Sequence, residues 1–277
     1  MALLAEKAAS DGCRVICCGF DSGIVGVNCL QTDSAEAAVR SSDVIILPLP
    51  VSRDGNSVFA PFSRFPIGVN EVISSLTPEK RVMCGMPDPS LMKRLTRTGA
   101  TVYDFFGREE LSVRNAVPTA EGAIEIAMHE TDRTVFGSNV LIIGYGRLGK
   151  ATARRFSALG ANVTVSARKN SDLAWISESG CTAVRTSDIR RYIPKADIIV
   201  NTVPSLMLGV KELDAVGKGT VIIDLASSPG GVDFKYASAK GINAIAALSL
   251  PGKVAPATAA EAIYETILSI LAENHSE

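Results

Sequence analysis

The sequence predicts an α/β protein made of two domains, each built on a parallel sheet covered by helices. Short runs of β-branched apolar residues alternate with helix-like segments, as parallel α/β folds require. A length of 277 residues is enough for two domains of ordinary size. The chain is 47% hydrophobic but only 5% aromatic, so we expect cores of Val, Ile, Leu and Ala.

The second half of the chain has the more regular pattern. Its apolar β-type runs are at 139–143, 162–166, 182–185, 197–201, 220–224 and 243–247. Helix-like segments between them include 151–159 and 173–179, followed by Gly160 and Gly180 where C-terminal caps are expected. This rhythm predicts a complete doubly wound sheet with the strand order 3-2-1-4-5-6.

The first half has the same style and predicts a smaller, flavodoxin-like α/β domain over residues 1–114. Strands are predicted at 14–18, 43–47, 81–85 and 101–103, and helices at 3–10, 34–40, 69–76 and 89–97. Segment 49–64 is rich in Pro, Ser, Asp, Gly and Asn, which predicts a long loop at the carboxyl end of a strand, where open α/β sheets bind ligands.

Residues 115–277 are predicted to form the second domain. Proline is favoured at the first position of a helix, so Pro118 predicts a connecting helix over 118–130. Segment 257–271 has apolar residues at helical spacing, and we expect this last helix to pack back on the first domain.

The run at 139–143 breaks into the pattern G-x-G-x-x-G at Gly144, Gly146 and Gly149, and a helix follows. Such glycines allow a tight turn, a close approach of the backbone to a pyrophosphate, and close packing of helix on strand. The pattern alone is weak, but here a second strand ends about 20 residues later, as a dinucleotide-binding Rossmann domain requires. We expect the pyrophosphate at Gly144, Gly146, Arg147, Leu148 and Gly149.

The end of the second strand discriminates between NAD and NADP. An NAD site usually has an acidic residue there, whereas this chain has Arg168 and Lys169 and no acid. Arg168 would clamp a 2′-phosphate, with Lys169 as a point charge and Ser166 or Ser171 as hydroxyl donors. A solvated basic turn is the alternative. NADP is the predicted cofactor.

The loops after the fourth, fifth and sixth strands are predicted to face the nicotinamide. Asn201 and Thr202 are expected to bind its carboxamide or ribose, with Pro204 beside them. Asp224 ends a buried strand and either polarises the site or is a structural cap.

Two further charged residues are candidates for substrate contact. Lys253 lies between Pro251 and Pro256 on a loop predicted to be stiff, and it suits an anionic substrate, although a surface lysine is equally expected. Glu121 is predicted in the first turn of its helix, near the junction of the domains, where it contacts substrate or only complements the helix dipole.

Composition excludes several classes of function. A net charge of −1 argues against nucleic-acid and anionic-membrane partners, and no apolar run is long enough to span a bilayer. Without a signal-peptide pattern, a cytoplasmic location is expected. The only histidines are His129 and His275, and the six cysteines form no C-x-x-C pair, so reduced thiols and no metal site are expected.

Four segments are distinctive in combination. They read VPTAEGAIEIAM at 117–128, GSNVLIIGYGR at 137–147, DLASSPGGVDF at 224–234 and LPGKVAPATA at 250–259. Together they resemble the A-subunit family of dipicolinate synthases, and the resemblance covers essentially the whole chain. It implies an NAD(P)H-dependent oxidoreductase of sporulating bacteria that makes pyridine-2,6-dicarboxylate (dipicolinate) from an intermediate of lysine biosynthesis. It also implies a partner, a flavoprotein B subunit.

The resemblance has one departure. Members of that family begin with a strand and a Gly-Gly-Asp-type turn, whereas this chain opens with the helix-like segment 3–10. We therefore expect the first domain to lack an opening strand that is normally central in its sheet.

Our interpretation is an NADP-linked dehydrogenase that oxidises dihydrodipicolinate, with Lys253 and the 227–231 loop holding the substrate carboxylates, and with Asp224 and Glu121 as further catalytic candidates. A non-catalytic NADP-binding scaffold or sensor for a flavoprotein is the alternative. A hydroxy-acid-type or adenosylhomocysteine-type dehydrogenase that shares only the fold is a third hypothesis. A homo-oligomer is left open.

Overall fold

The computed structural model describes residues 1–21 and 23–273, so His275 lies outside the described residues. The strands are β1 Ile16–Cys17, β2 Leu30–Gln31, β3 Val44–Ile46, β4 Arg81–Cys84, β5 Thr101–Asp104, β6 Asn139–Ile143, β7 Asn162–Ala167, β8 Thr182–Arg185, β9 Ile198–Asn201, β10 Val221–Asp224 and β11 Asn243–Ala246. The α-helices are α1 Ala2–Ser10, α2 Ala35–Arg40, α3 Val69–Ser74, α4 Pro89–Thr96, α5 Glu109–Glu130, α6 Arg147–Ala158, α7 Asn170–Glu178, α8 Val210–Leu213, α9 Phe234–Ala239, α10 Leu250–Val254 and α11 Pro256–Glu273.

The chain divides into two compact units. The first unit combines Met1–Ser112 with Pro256–Glu277, and the second unit is the continuous segment Val113–Ala255. The last helix, α11, therefore belongs to the first unit, although its sequence follows the second. None of the helices in the described part of the chain has the length and apolarity needed to cross a membrane.

The second unit is a parallel sheet in the order β11-β10-β9-β6-β7-β8. This confirms the doubly wound Rossmann topology, and each predicted strand agrees with an observed one to within one residue at either end. In the central strand, Val140 and Ile142 pack in the core on one face, and Leu141 and Ile143 pack in the core on the other. Because both faces of β6 are covered, the strand is a continuous apolar run.

The described part of the first unit has two separate parallel sheets, β1-β2 and β3-β4-β5. Its four predicted strands are present, three of them shorter than predicted and the fourth, β5, one residue longer. Strand β2 was not predicted, since two exposed residues carry no periodic signal. Val82 and Met83 of β4 point into different cores, and Met83 shares its core with Ile267 of α11. The three-stranded sheet is thus covered on both faces, one of them by α1 and α11.

The connecting helix differs from the sequence prediction. The connecting helix begins at Glu109 rather than at Pro118, so Pro118 lies inside a helix of 22 residues. The preference of proline for the first turn was misleading here, because the helix accepts the loss of one backbone hydrogen bond. Just before this helix, Arg108 makes a bidentate ion pair with Glu273 of α11, and its Nε donates to Oε1 of Glu110 at 2.6 Å.

Candidate functional site

The phosphate loop joins β6 to α6, and its three glycines have different surroundings. Gly144 has φ +101°, and a Cβ there would lie 2.5 Å from Thr202 Oγ1 and 2.8 Å from Val203 Cγ2. A Cβ on Gly149 would overlap the carbonyl oxygen of Gly144. A Cβ on Gly146 would meet no protein atom within 4 Å. The protein itself requires the outer two glycines, whereas Gly146 borders open space of the kind a pyrophosphate occupies.

The start of α6 supplies hydrogen-bond donors to this space. Its N-cap, Gly146, has no side chain to accept from the first N–H groups, which leaves them for an external anion. Arg147 is exposed at the first position, whereas Leu148 is half-buried and packs against the core. The loop and helix start therefore fit the phosphates of a dinucleotide, with Leu148 contributing packing rather than a polar contact.

The basic turn lies where the sequence placed it, directly after β7. Arg168 and Lys169 are both exposed, and Lys169 is the N-cap of α7 without a side-chain cap hydrogen bond. Ser166 is different, because it is 0% exposed and its hydroxyl has no hydrogen-bond partner in the described structure. The exposed groups at this turn are thus the two cations and Ser171, whereas Ser166 is buried.

A buried polar network joins the loops that follow β9 and β10. Asp224, 2% exposed, accepts hydrogen bonds from Asn201 Nδ2 at 2.8 Å, Gly231 N at 2.8 Å and Ala226 N at 3.2 Å. Asn201, 0% exposed, also donates Nδ2 to the carbonyl of Val203 at 3.0 Å. These bonds occupy both amide N–H groups of Asn201 and favour the structural role of Asp224 that the sequence left open. Asp224 and Asn201 position the two loops from inside.

In the loop that follows β9, Thr202 has a structural hydrogen bond and Pro204 is exposed. The Thr202 hydroxyl donates to the carbonyl of Ile143 at 2.9 Å, which ties the loop to the neighbouring strand β6. Pro204 is exposed two residues later. Of the predicted contacts on this loop, Pro204 is the one whose side chain lies at the surface.

Lys253 is exposed, and the structure shows it on a short helix, α10, rather than on the predicted stiff loop. Pro251 lies in the first turn of α10, where its missing N–H has no helical partner to lose. A Cβ on Gly122 of α5 would lie 3.1 Å from Leu250 Cδ1 and 3.2 Å from Val254 Cγ1, so α10 packs closely on α5. The backbone at Lys253 is therefore held in place by this packing, although the segment is a short helix and not an extended loop.

Glu121 lies in the interior of α5 and not in its first turn, so the dipole explanation is wrong. Its Oε1 accepts a hydrogen bond from Nε of Arg155 at 3.3 Å, and 58% of its side chain is exposed. Arg155 is in the last turn of α6, away from the phosphate loop. The structure thus gives Glu121 a helix-to-helix ion pair.

One cation near the basic turn was missed by sequence reasoning. Arg185 ends β8, is exposed, and donates Nη2 to Oδ1 of Asn170 at 2.6 Å. Its Cα is paired with that of Ala167, which directly precedes Arg168. The signal was present, since 182–185 was a predicted strand that neighbours 162–166 in the predicted order.

Comparisons with known proteins agree with this geometry. Residues 1–106 match the model of the N-terminal domain of the dipicolinate synthase A subunit, and residues 114–230 match that of the D-isomer specific 2-hydroxyacid dehydrogenase NAD binding domain. Crystal structures of the dipicolinate synthase A subunit from Bacillus halodurans and of its counterpart from Bacillus subtilis are similar. They have TM-scores of 0.90 and 0.89 at 32% identity, covering 98% and 99% of this chain and 94% and 93% of theirs.

A curated relative supports the same assignment. The dipicolinate synthase A subunit of Bacillus subtilis (strain 168) is 36% identical over 259 residues, which are 93% of this chain and 86% of that protein. The second unit is thus a nicotinamide-dinucleotide-binding dehydrogenase domain, and the protein is an NAD(P)-dependent dehydrogenase. With both family models matched in order along the chain, it belongs to the A-subunit family of dipicolinate synthases.

Proposed function

We propose that this protein is an NADP-linked dehydrogenase that oxidises dihydrodipicolinate to dipicolinate. The observation that carries the proposal is the uncapped start of α6, open at Gly146, next to an exposed basic turn after β7 that has no acid. We infer the substrate from the membership of this chain in the family. Dipicolinate synthesis further suggests a role in endospore formation.

The cofactor choice is argued from charge. A carboxylate at the end of β7 would bind a ribose 2′-hydroxyl and repel a 2′-phosphate, whereas Arg168 and Lys169 attract one. Replacing Arg168 by Ala is therefore expected to weaken NADPH binding about tenfold, or about 1.4 kcal/mol, and to leave NADH binding nearly unchanged. Calorimetric titration of both cofactors tests this, and equal affinities of the wild-type protein for NADPH and NADH would contradict it.

The substrate is a dicarboxylate, and the chain offers two kinds of group for it. Lys253 presents an exposed ammonium on α10, and the 227–231 loop, anchored by the hydrogen bond from Gly231 N to Asp224, presents the exposed Ser227 and Ser228. When bound, the dinucleotide supplies the hydride acceptor, and the role of these residues is to orient the ring and neutralise its carboxylates. Because the product is aromatic, hydride loss is favourable and the reaction does not demand a strong general base.

The partner is proposed from the family as well. The name of the relatives implies a second subunit, and we propose that a flavoprotein B subunit binds this chain. Gel filtration of the two purified proteins, alone and mixed, tests for that complex, and the chain run alone reports whether it forms a homo-oligomer.

The test of the activity uses the purified full-length chain with dihydrodipicolinate and NADP, followed by absorbance at 340 nm. NADPH formation that depends on substrate supports the proposal. A matched control is Gly146→Val, in which the added side chain meets no protein atom but fills the pyrophosphate space. Tight NADPH binding without turnover would instead indicate the scaffold or sensor role.

A further inference from the structure

We propose that Arg185 determines cofactor specificity together with Arg168, by donating hydrogen bonds to the 2′-phosphate of the bound dinucleotide. This inference rests on the proposed NADP function and extends it to a residue on a different strand. Three features of Arg185 support it, namely its position in the sheet, the orientation of its guanidinium and the charges around it.

The sheet brings Arg185 to the basic turn. In the parallel pair β7-β8, the Cα of Arg185 is the partner of Ala167, and Arg168 and Lys169 follow directly. Neighbouring strands lie about 4.8 Å apart, so the two arginines start from adjacent positions. Both are at the carboxyl edge of a parallel sheet, which is the edge where doubly wound folds bind dinucleotides.

A hydrogen bond directs the guanidinium towards this turn. Arg185 Nη2 donates to Oδ1 of Asn170 at 2.6 Å, and Asn170 is the first residue of α7, immediately after Lys169. The side chain thus reaches across from its own strand to the segment that follows β7. A guanidinium has five N–H donors, and Arg185 donates no other hydrogen bond to the described part of the chain, so donors remain for a ligand.

The charges at this place are not neutralised by the protein. Arg168, Lys169 and Arg185 are all exposed, and none of them forms an ion pair with an acid among residues 1–21 and 23–273. The acids nearest in sequence are Asp172, in the first turn of α7, and Asp188, in the 3-10 turn Thr186–Arg191, and neither forms an ion pair with any of the three among the described residues. Like charges held close together repel one another, and a bound anion relieves that repulsion.

The chemistry of a 2′-phosphate matches this arrangement. Its oxygens accept from several donors at once, and a guanidinium presents two parallel N–H groups to them. Arg168 and Arg185 approach from adjacent strands, so each contacts a different part of the phosphate. The other role for Arg185 is to brace Asn170 and the start of α7, and the two roles predict different patterns of binding.

The experiment is a calorimetric titration of the full-length protein with NADPH and NADH, and with two probes, 2′-phospho-AMP and AMP. Arg185→Ala is expected to weaken binding of NADPH and 2′-phospho-AMP about tenfold, and that of NADH and AMP less than about twofold. The matched control is Arg191→Ala, another exposed arginine in the 3-10 turn Thr186–Arg191 that follows β8, which is expected to leave all four affinities unchanged.

A second variant covers the case in which Arg185→Ala unfolds. Asn170→Ala keeps Arg185 but removes the acceptor that orients it, and should weaken NADPH binding about two- to threefold, with NADH binding unchanged. Equal loss of NADPH and NADH affinity in Arg185→Ala would assign the brace role and overturn the inference.

The outcomes for the two proposals are distinct. A wild-type protein that does not prefer NADPH would overturn the proposed cofactor itself. If the preference exists and is lost in Arg168→Ala but kept in Arg185→Ala, the NADP function stands and only the role of Arg185 is wrong.

Discussion

Both units are built on parallel sheets, but their strands differ in length and in burial. The second unit has one parallel sheet of six strands, and β6, β9 and β10 are buried at nearly every position. Among its described residues, the first unit has five strands in two sheets, and its β1 and β2 have two residues each. A sheet interrupted between β1 and β3 has four strand edges where a continuous one has two.

This difference in strand burial indicates that the rigid sheet is the one that carries the candidate site. The phosphate loop, the basic turn and the Asp224–Asn201 network all lie at the carboxyl edge of the well-buried sheet. Short strands with exposed residues and unpaired edges open more easily than buried central strands. We therefore expect the second unit to hold its site geometry under conditions that already loosen the first.

The largest expected effect is the collapse of the second unit by Gly149→Val. The new side chain overlaps the Gly144 carbonyl, a backbone atom that cannot turn away, so we expect a loss of about 3 kcal/mol or more and no NADPH binding. Gly146→Val is the matched control and should lose NADPH binding while keeping its thermal midpoint. Normal NADPH binding by Gly146→Val would mean that the cofactor lies elsewhere.

Asp224→Ala should weaken the same unit without touching its surface. It leaves the amide of Asn201 and the N–H of Gly231 buried without their acceptor, which costs about 2–4 kcal/mol. Urea unfolding measures this. Asp214→Ala, which removes an exposed partner of Lys240, is the control and should change stability far less. Equal losses of stability in both variants would contradict the proposal that the buried Asp224–Asn201 network stabilises the second unit.

Lys253→Met tests whether the second unit also binds the substrate. Methionine keeps most of the apolar stem, so packing should change little while the charge is lost. We expect kcat/KM to fall about tenfold to a hundredfold, or about 1.5–3 kcal/mol, with NADPH affinity unchanged. Lys218→Met, an exposed lysine before β10, is the control. Unchanged turnover would indicate that Lys253 is an ordinary surface lysine, and lost NADPH binding would indicate that it is a cofactor ligand.

The smallest effect is expected in the first unit, at the Arg108–Glu273 pair. The hydrogen bonds that Arg108 donates to Glu273 lower the pKa of that carboxyl below its usual 4.5. A carboxyl with a lowered pKa stabilises the folded state above its ordinary pKa, and this contribution is lost as the pH falls through the lowered value. Limited proteolysis of the C-terminal helix between about pH 5 and about pH 3 should show it loosening at the acid end, and Glu273→Gln should remove that dependence. Protection that does not vary with pH in the wild type would contradict the role of the pair.

The contrast between the units also explains what sequence reasoning predicted. Buried parallel strands are continuous apolar runs between turn residues, so the strands of the second unit and their order were predictable. The two-residue strand Leu30–Gln31 carries no such pattern. Position at a strand end was also predictable, but the direction of a side chain was not. Ser166 and Asn201 proved to be buried, whereas Arg185 is exposed beside the turn that matters.

The return of α11 to the first unit has a consequence for how the protein is made. The second unit is continuous, so a ribosome delivers all of it once residue 255 has emerged. The first unit must wait for Pro256–Glu273, because Ile267 and Ile270 complete the core around Met83 and Phe105. Domains usually fold in the order of synthesis, amino-terminal first. Here we expect the reverse, with the nascent amino-terminal part remaining incomplete until α11 has emerged.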